Sequence, residues 1–213
     1  MDVTQWDGQL VRELLVVLYG GHHSRTGGWV PEAGAVGRYR KVSARTVRRW
    51  TRPGSPAAIP ARVLEAMLAR RQPRAATLRR EQLQADRTEQ MRVRAGLGRG
   101  RGNLQEYAAR GWLEQHRVLV LEEAALPLRR ITVVRDDPTL VRRAVSGSRV
   151  VDLAIADTKF AGDALRYRTL NEVRPWRLEL STRQVAGTRG RTQVWLASAP
   201  LSQLPLQANL VGP

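Results

Sequence analysis

Cysteine is absent from this 213-residue chain, which excludes disulfides and thiolate metal sites. Lysine is scarce: Lys41 and Lys159 are the only two, so 34 of the 36 cations are arginines. No stretch approaches the roughly 18 apolar residues needed to cross a membrane. The longest apolar run, Leu14–Tyr19, follows an acidic start and lacks the basic leader of a signal peptide. A cytoplasmic protein without membrane contact is expected. No phosphate-binding P-loop and no Gly-x-Ser-x-Gly nucleophile elbow occurs. The Gly-rich "GLGRGRGN" follows a charged helical stretch rather than a strand, so it is not a dinucleotide fingerprint.

What the chain has instead is positive charge. The 36 basic residues face 19 acidic ones, a formal net charge of +17. Codon usage can favour Arg over Lys, but it does not explain the excess over Asp and Glu. The excess is also unevenly placed. From Arg38 to Arg101 there are 18 basic and 4 acidic residues; from Leu104 onward, 16 and 11. Arginine's planar fork suits phosphates and guanine edges. A cationic front half joined to a nearly balanced back half points to a polyanion-binding module with a second domain.

Apolar content of 42% allows a packed core. The periodicity predicts a helix over Val3–Tyr19, a loop over "GGHHSRTGG" (20–28) and a short helix over Pro31–Tyr39. Ser43 is a good N-cap for a helix running through Thr51. "TRPGSPAAIP" (51–60) ends it. Helices follow over Ala61–Arg71 and Arg74–Arg94, the latter with Leu78, Leu83 and Met91 as sparse apolar anchors. "AGLGRGRGN" (95–103) marks a boundary. Beyond it a helix at Leu104–Trp112 precedes strands at 117–123, 129–136, 149–156, 176–181 and 192–198. A helix capped by Asp137 with Pro138 in its first turn lies between the second and third strands, and a hairpin turn at 185–191 joins the last two. The expected fold is α+β overall: an all-α domain (1–95), a Gly/Arg linker (96–103), an α+β domain with about five strands (104–199), and a flexible tail (200–213).

The candidate site is Pro31–Thr51. "VSARTVRRW" (42–50), preceded by Gly37, resembles the second helix of helix-turn-helix DNA-binding proteins. The resemblance implies that Val42 and Val47 pack between the two helices, that Trp50 packs on the next helix, and that the second helix enters the major groove. It leaves Ala44, Arg45, Arg48 and Arg49 pointing outward. Arg45, Arg48 and Arg49 are three and four residues apart and share one face. Ser43 and Thr46 stand at the helix start. Arg38, Arg40, Lys41 and Arg52 are expected on the DNA backbone, and the following basic helices would add phosphate contacts. One departure stands out. Arg40 and Lys41 occupy the turn where the family has an apolar residue and Gly, and Tyr39 would supply the apolar contact one position early. The helix-turn-helix, Pro-rich break, "ARVLEAML" and Arg-rich helix are also similar, over about residues 35–85, to the telomere-associated terminal proteins of linear actinobacterial replicons. Members of that family bind telomeric DNA and prime replication.

These readings give a sequence-specific duplex-DNA-binding protein, nucleoid-associated and acting as a homodimer. It would serve as a transcriptional regulator or an origin- or telomere-binding protein, with the back half contacting protein partners. No catalytic set, cofactor site or metal site is expected: His22 and His23 have no third ligand nearby, and Asp137 is explained as a cap. The alternatives are a priming protein or metal-dependent nucleic-acid-processing enzyme using Asp136, Asp152 and Asp157, and a structural RNA-binding protein.

Overall fold

The computed structural model describes residues 5–25, 27–54, 56, 58–69, 71–96, 103–180 and 193–208. In chain order its elements are α1 (Gly8–Tyr19), β1 (Gly21–His23), β2 (Trp29–Pro31), α2 (Ala33–Arg40), α3 (Ala44–Trp50), α4 (Ala61–Leu68), α5 (Ala75–Gly96), α6 (Asn103–Ala109), β3 (His116–Glu123), β4 (Leu128–Arg135), α7 (Pro138–Val145), β5 (Ser148–Ala156), α8 (Lys159–Glu172), β6 (Arg177–Leu178), β7 (Val194–Leu196) and β8 (Gln207–Ala208). The fold is α+β, with most of the helices in the front half. No helix among the described residues is long and apolar enough to cross a membrane.

The chain divides by contact into two compact units, which are not two consecutive segments. The first comprises 1–72, 123–129 and 175–200; the second comprises 73–122, 130–174 and 201–213. The boundary expected at 96–103 therefore falls inside the second unit. Residues 97–102 and the hairpin turn expected at 185–191 lie outside the described residues.

In the first unit α1 is the central element. Asp7 caps it, accepting from the Leu10 N–H at 2.8 Å, so the helix starts five residues later than the periodicity suggests. Leu10, Val11, Leu14 and Leu15 are at most 3% exposed. Each such buried side chain contributes about 1.5–3 kcal/mol relative to exposure. Against α1 lie α2, α3 and the ribbon β1–β2. That antiparallel ribbon pairs Gly21 with Pro31, His22 with Val30 and His23 with Trp29. It replaces the loop expected at 20–28, and the front half is not all-α. The glycines that suggested a loop serve the ribbon: Gly20, Gly27 and Gly28 have φ between 87° and 98°, a conformation glycine adopts without strain. In the same unit β6 runs antiparallel to β7, pairing Arg177 with Trp195 and Leu178 with Val194. The strand expected at 176–181 is shorter: Arg174–Trp176 forms a 3₁₀ turn, and the strand covers only Arg177 and Leu178.

The second unit holds the strand order β4–β3–β5–β8, with the first two residues of β4 belonging to the first unit. Helix α5 packs along α8, and α8 also contacts β5. Helix α8 was not among the expected elements. Thr158 caps it, accepting from the Ala161 N–H at 3.2 Å, and Phe160, Leu165 and Leu170 are buried. Gly162 sits in its first turn, where a Cβ would lie 2.8 Å from a Val133 methyl. The expected flexible tail is also partly built into this unit. The Leu204 N–H donates to Asp152 at 2.8 Å, and β8 pairs parallel with Ile155 and Ala156. These contacts, between segments about fifty residues apart, satisfy backbone groups that a free tail would leave to water.

Candidate nucleic-acid interface

The two helices α2 and α3 are joined by a tight turn over Lys41, Val42 and Ser43. Lys41 has φ 54° and ψ 44° and is the only non-glycine residue with positive φ among those described. It occupies the left-handed position that ends a helix in a sharp turn, where glycine is the usual occupant. Here a lysine adopts it at the position between Arg40 and Val42. Gly37 makes the close approach possible: a Cβ there would lie 3.0 Å from the Val42 carbonyl oxygen.

Helix α3 begins at a side-chain cap. Ser43 Oγ accepts from the Thr46 N–H at 3.1 Å, and its hydroxyl lies 3.0 Å from that of Thr46. Such a cap is worth about 1 kcal/mol. At the other end the Thr51 hydroxyl donates to the Val47 carbonyl at 3.1 Å, and Arg12 donates to the Thr51 carbonyl at 2.8 Å. Both ends of the helix are thereby tied down, and α1 supports its C-terminus.

The faces of α3 separate sharply. Val47 and Trp50 are 1% and 3% exposed; Ala44, Arg45, Arg48 and Arg49 are exposed. Arg38, Lys41, Ser43 and Arg52 are exposed as well, while Thr46 is half-buried through its cap. Arg38, Arg45, Arg48, Arg49 and Arg52 make no ion pair among the described residues. From Ala33 to Gly54 the sequence contains seven cations and no acid. Exposed cations without local counter-charges raise the potential at this surface and attract polyanions.

Arg40 differs from its neighbours. It is half-buried and donates through Nε to the Tyr19 hydroxyl at 2.6 Å, with its guanidinium 5.9 Å from the Tyr19 ring centroid. Tyr39, expected to fill an apolar gap, is instead 75% exposed, with its ring 5.6 Å from that of Tyr19. Tyr19 is the residue that the sequence reading missed at this site. Its place at the end of a helix gave no signal of a contact with residues twenty positions on.

Among the remaining candidates, His23, Asp136, Asp137 and Asp152 make local contacts. His22 and His23 sit exposed on β1, His23 with its ring 5.3 Å from Trp29. Asp136 pairs with Arg117 at 2.6 Å. Asp137 caps α7, accepting from the N–H groups of Thr139 and Leu140, each at 2.9 Å. Asp152 accepts from the Leu153 and Leu204 N–H groups, each at 2.8 Å. No group of three or more His, Asp and Glu residues suited to a metal ion occurs among the described residues.

Comparison with known proteins returns no matching family model, no matching curated protein and no matching solved structure.

Proposed function

We propose that this protein binds double-stranded DNA sequence-specifically by laying α3 in the major groove. The observation that carries the reading is the two-sidedness of α3: Val47 and Trp50 anchor one face, and Arg45, Arg48 and Arg49 stand exposed and without ion pairs on the other. Arg45 and Arg49 read base edges, where a bidentate arginine–guanine pair gives about 1–3 kcal/mol of discrimination. Arg38, Lys41 and Arg52 hold phosphates, and the exposed Ser43 hydroxyl lies among them. Arg40, engaged by Tyr19, positions the turn. The protein acts as a nucleoid-associated homodimer, as a transcriptional regulator or an origin- or telomere-binding protein, two copies matching two half-sites.

Titration of binding against salt tests the electrostatic part. With six phosphate contacts, the logarithm of the binding constant falls against the logarithm of salt concentration with a slope of about −5. A flat response contradicts the reading.

A further inference from the structure

Helix α5, in the second unit, segregates its charges in a way its composition alone does not show. Its inner face, packed along α8, carries Leu78, Ala85, the 4%-exposed Thr88 and Met91. Of the acids, Glu81 lies on that face, Glu89 on its flank, and the exposed Asp86 at the edge of the outward face, about 20° around the helix from Arg79. Glu81 is half-buried, Asp86 accepts from Gln82 at 2.9 Å, and Glu89 pairs with Arg92 at 2.6 Å. At about 100° per residue, Arg79, Arg80, Leu83, Arg87, Gln90 and Arg94 fall within an arc of roughly 100° opposite α8. All six are exposed, and no acid lies among them. The four arginines make no ion pair among the described residues.

An ordinary solvated helix of this composition would place Glu and Arg four apart to pair on the surface. Here Glu89 pairs with Arg92 and Asp86 accepts from Gln82, and the outward arginines make no ion pair among the described residues. Arg80, Arg87 and Arg94 recur at intervals of seven, so they form one row about 21 Å long. Duplex DNA presents one negative charge per about 1.7 Å of axis, so such a row faces phosphates along its whole length.

We infer that the outward face of α5 is a second DNA-binding surface, one that grips the phosphate backbone without reading bases. The inference shares the view of the protein as a DNA binder but does not depend on α3. The second unit thus adds sequence-independent affinity to the phosphate contacts and base discrimination of the first.

The test uses the full-length protein with Arg79, Arg80, Arg87 and Arg94 changed to Gln, beside Arg45→Ala/Arg49→Ala in α3. Glutamine retains helix propensity, and circular dichroism of each variant confirms that α5 still forms. Binding to a random-sequence DNA duplex is measured across salt. The α5 variant is expected to lose about 3–4 from the slope of log affinity against log salt, corresponding to four released phosphate contacts. Restoring the charge with Lys at the four positions is expected to restore most of that slope. An unchanged slope in the Gln variant overturns the inference. If the α3 variant binds every duplex like the unmodified protein while the α5 variant loses its slope, the reading of α3 fails and that of α5 stands.

Discussion

The Nε of Arg40 donates to the hydroxyl of Tyr19 at 2.6 Å, joining the last residue of α2 to the last residue of α1. This bond fixes the end of α2 against α1 directly before the turn that presents α3. Hydrogen bonds to a charged group contribute about 1.5–3 kcal/mol when buried, and the half-burial of Arg40 reduces that. Tyr19→Phe keeps the ring beside Tyr39 and removes only the acceptor, so it is expected to cost about 1 kcal/mol. A double-mutant cycle with Arg40→Gln, read by chemical denaturation, should give a coupling of about 0.5–1.5 kcal/mol. Strictly additive single effects would show that the contact contributes nothing.

Lys41 sets stability against binding. A non-glycine residue in the left-handed region costs about 1–2 kcal/mol, partly offset by the greater unfolded-state freedom of glycine. Lys41→Gly is therefore expected to stabilise the first unit by about 0.5–1 kcal/mol. The same change removes a cation from the surface proposed for DNA. Affinity should fall about equally for all sequences, with the salt slope reduced by about one. A variant that melts lower than the original protein would contradict the turn geometry.

Two buried titratable groups give opposite pH dependences. Glu13 is 2% exposed and accepts from the Ser198 N–H at 2.9 Å, the Ser198 hydroxyl at 2.5 Å and the Gln9 amide at 3.1 Å. Burial pushes its carboxyl above the usual glutamate range, outweighing the hydrogen bonds from Ser198 and Gln9 and the cation of Arg129, which pull it down. The folded state thus holds the proton more tightly than the unfolded chain. The resulting stability is fully present below the ordinary glutamate pKa and is lost as pH rises through the folded-state value. Glu13→Gln should relieve that loss at neutral pH and differ little from the original protein in acid.

His116, in the second unit, titrates the other way. Burial, aided by the nearby Lys159 cation, lowers its pKa, against the opposing effects of the Glu114 carbonyl and of Asp163. Its contribution is present above the ordinary histidine pKa and is lost as pH falls through the depressed folded-state value. His116→Asn should flatten the stability profile on the acid side of neutrality. Denaturation curves from pH 4 to 8 on both variants check the two signs, and an identical profile for either variant refutes its assignment.

The candidate helix was legible because several local signals agreed: a Ser cap, Val47 and Trp50 at helical spacing, and arginines between them. The left-handed turn was not, because Lys41 carries none of glycine's local signature and its φ is imposed by the packing of α2 on α3. The ribbon β1–β2 was hidden for a related reason. Three-residue strands have no periodicity to read, and glycines at 20, 27 and 28 suit a loop as well as a hairpin. Helix α8 escaped because its buried face includes Gly162, Asp163 and Thr169, which carry no apolar periodicity; the closeness of Val133 explains the glycine. Leu83 shows the converse: expected as an anchor of α5, it is 64% exposed, and the small Thr88 takes the buried position. The two units could not be read from composition, since each is assembled from segments far apart in the chain.

Whether α3 reads duplex DNA is decided by selecting bound sequences from a random duplex pool with the full-length protein. Affinities for the selected and a scrambled duplex are then compared with those of the Arg45→Ala/Arg49→Ala variant. An enriched motif is expected, with the variant losing about 1–3 kcal/mol per lost base contact on the selected duplex and much less on the scrambled one. No enriched sequence, or an equal loss on both duplexes, would contradict base reading by α3.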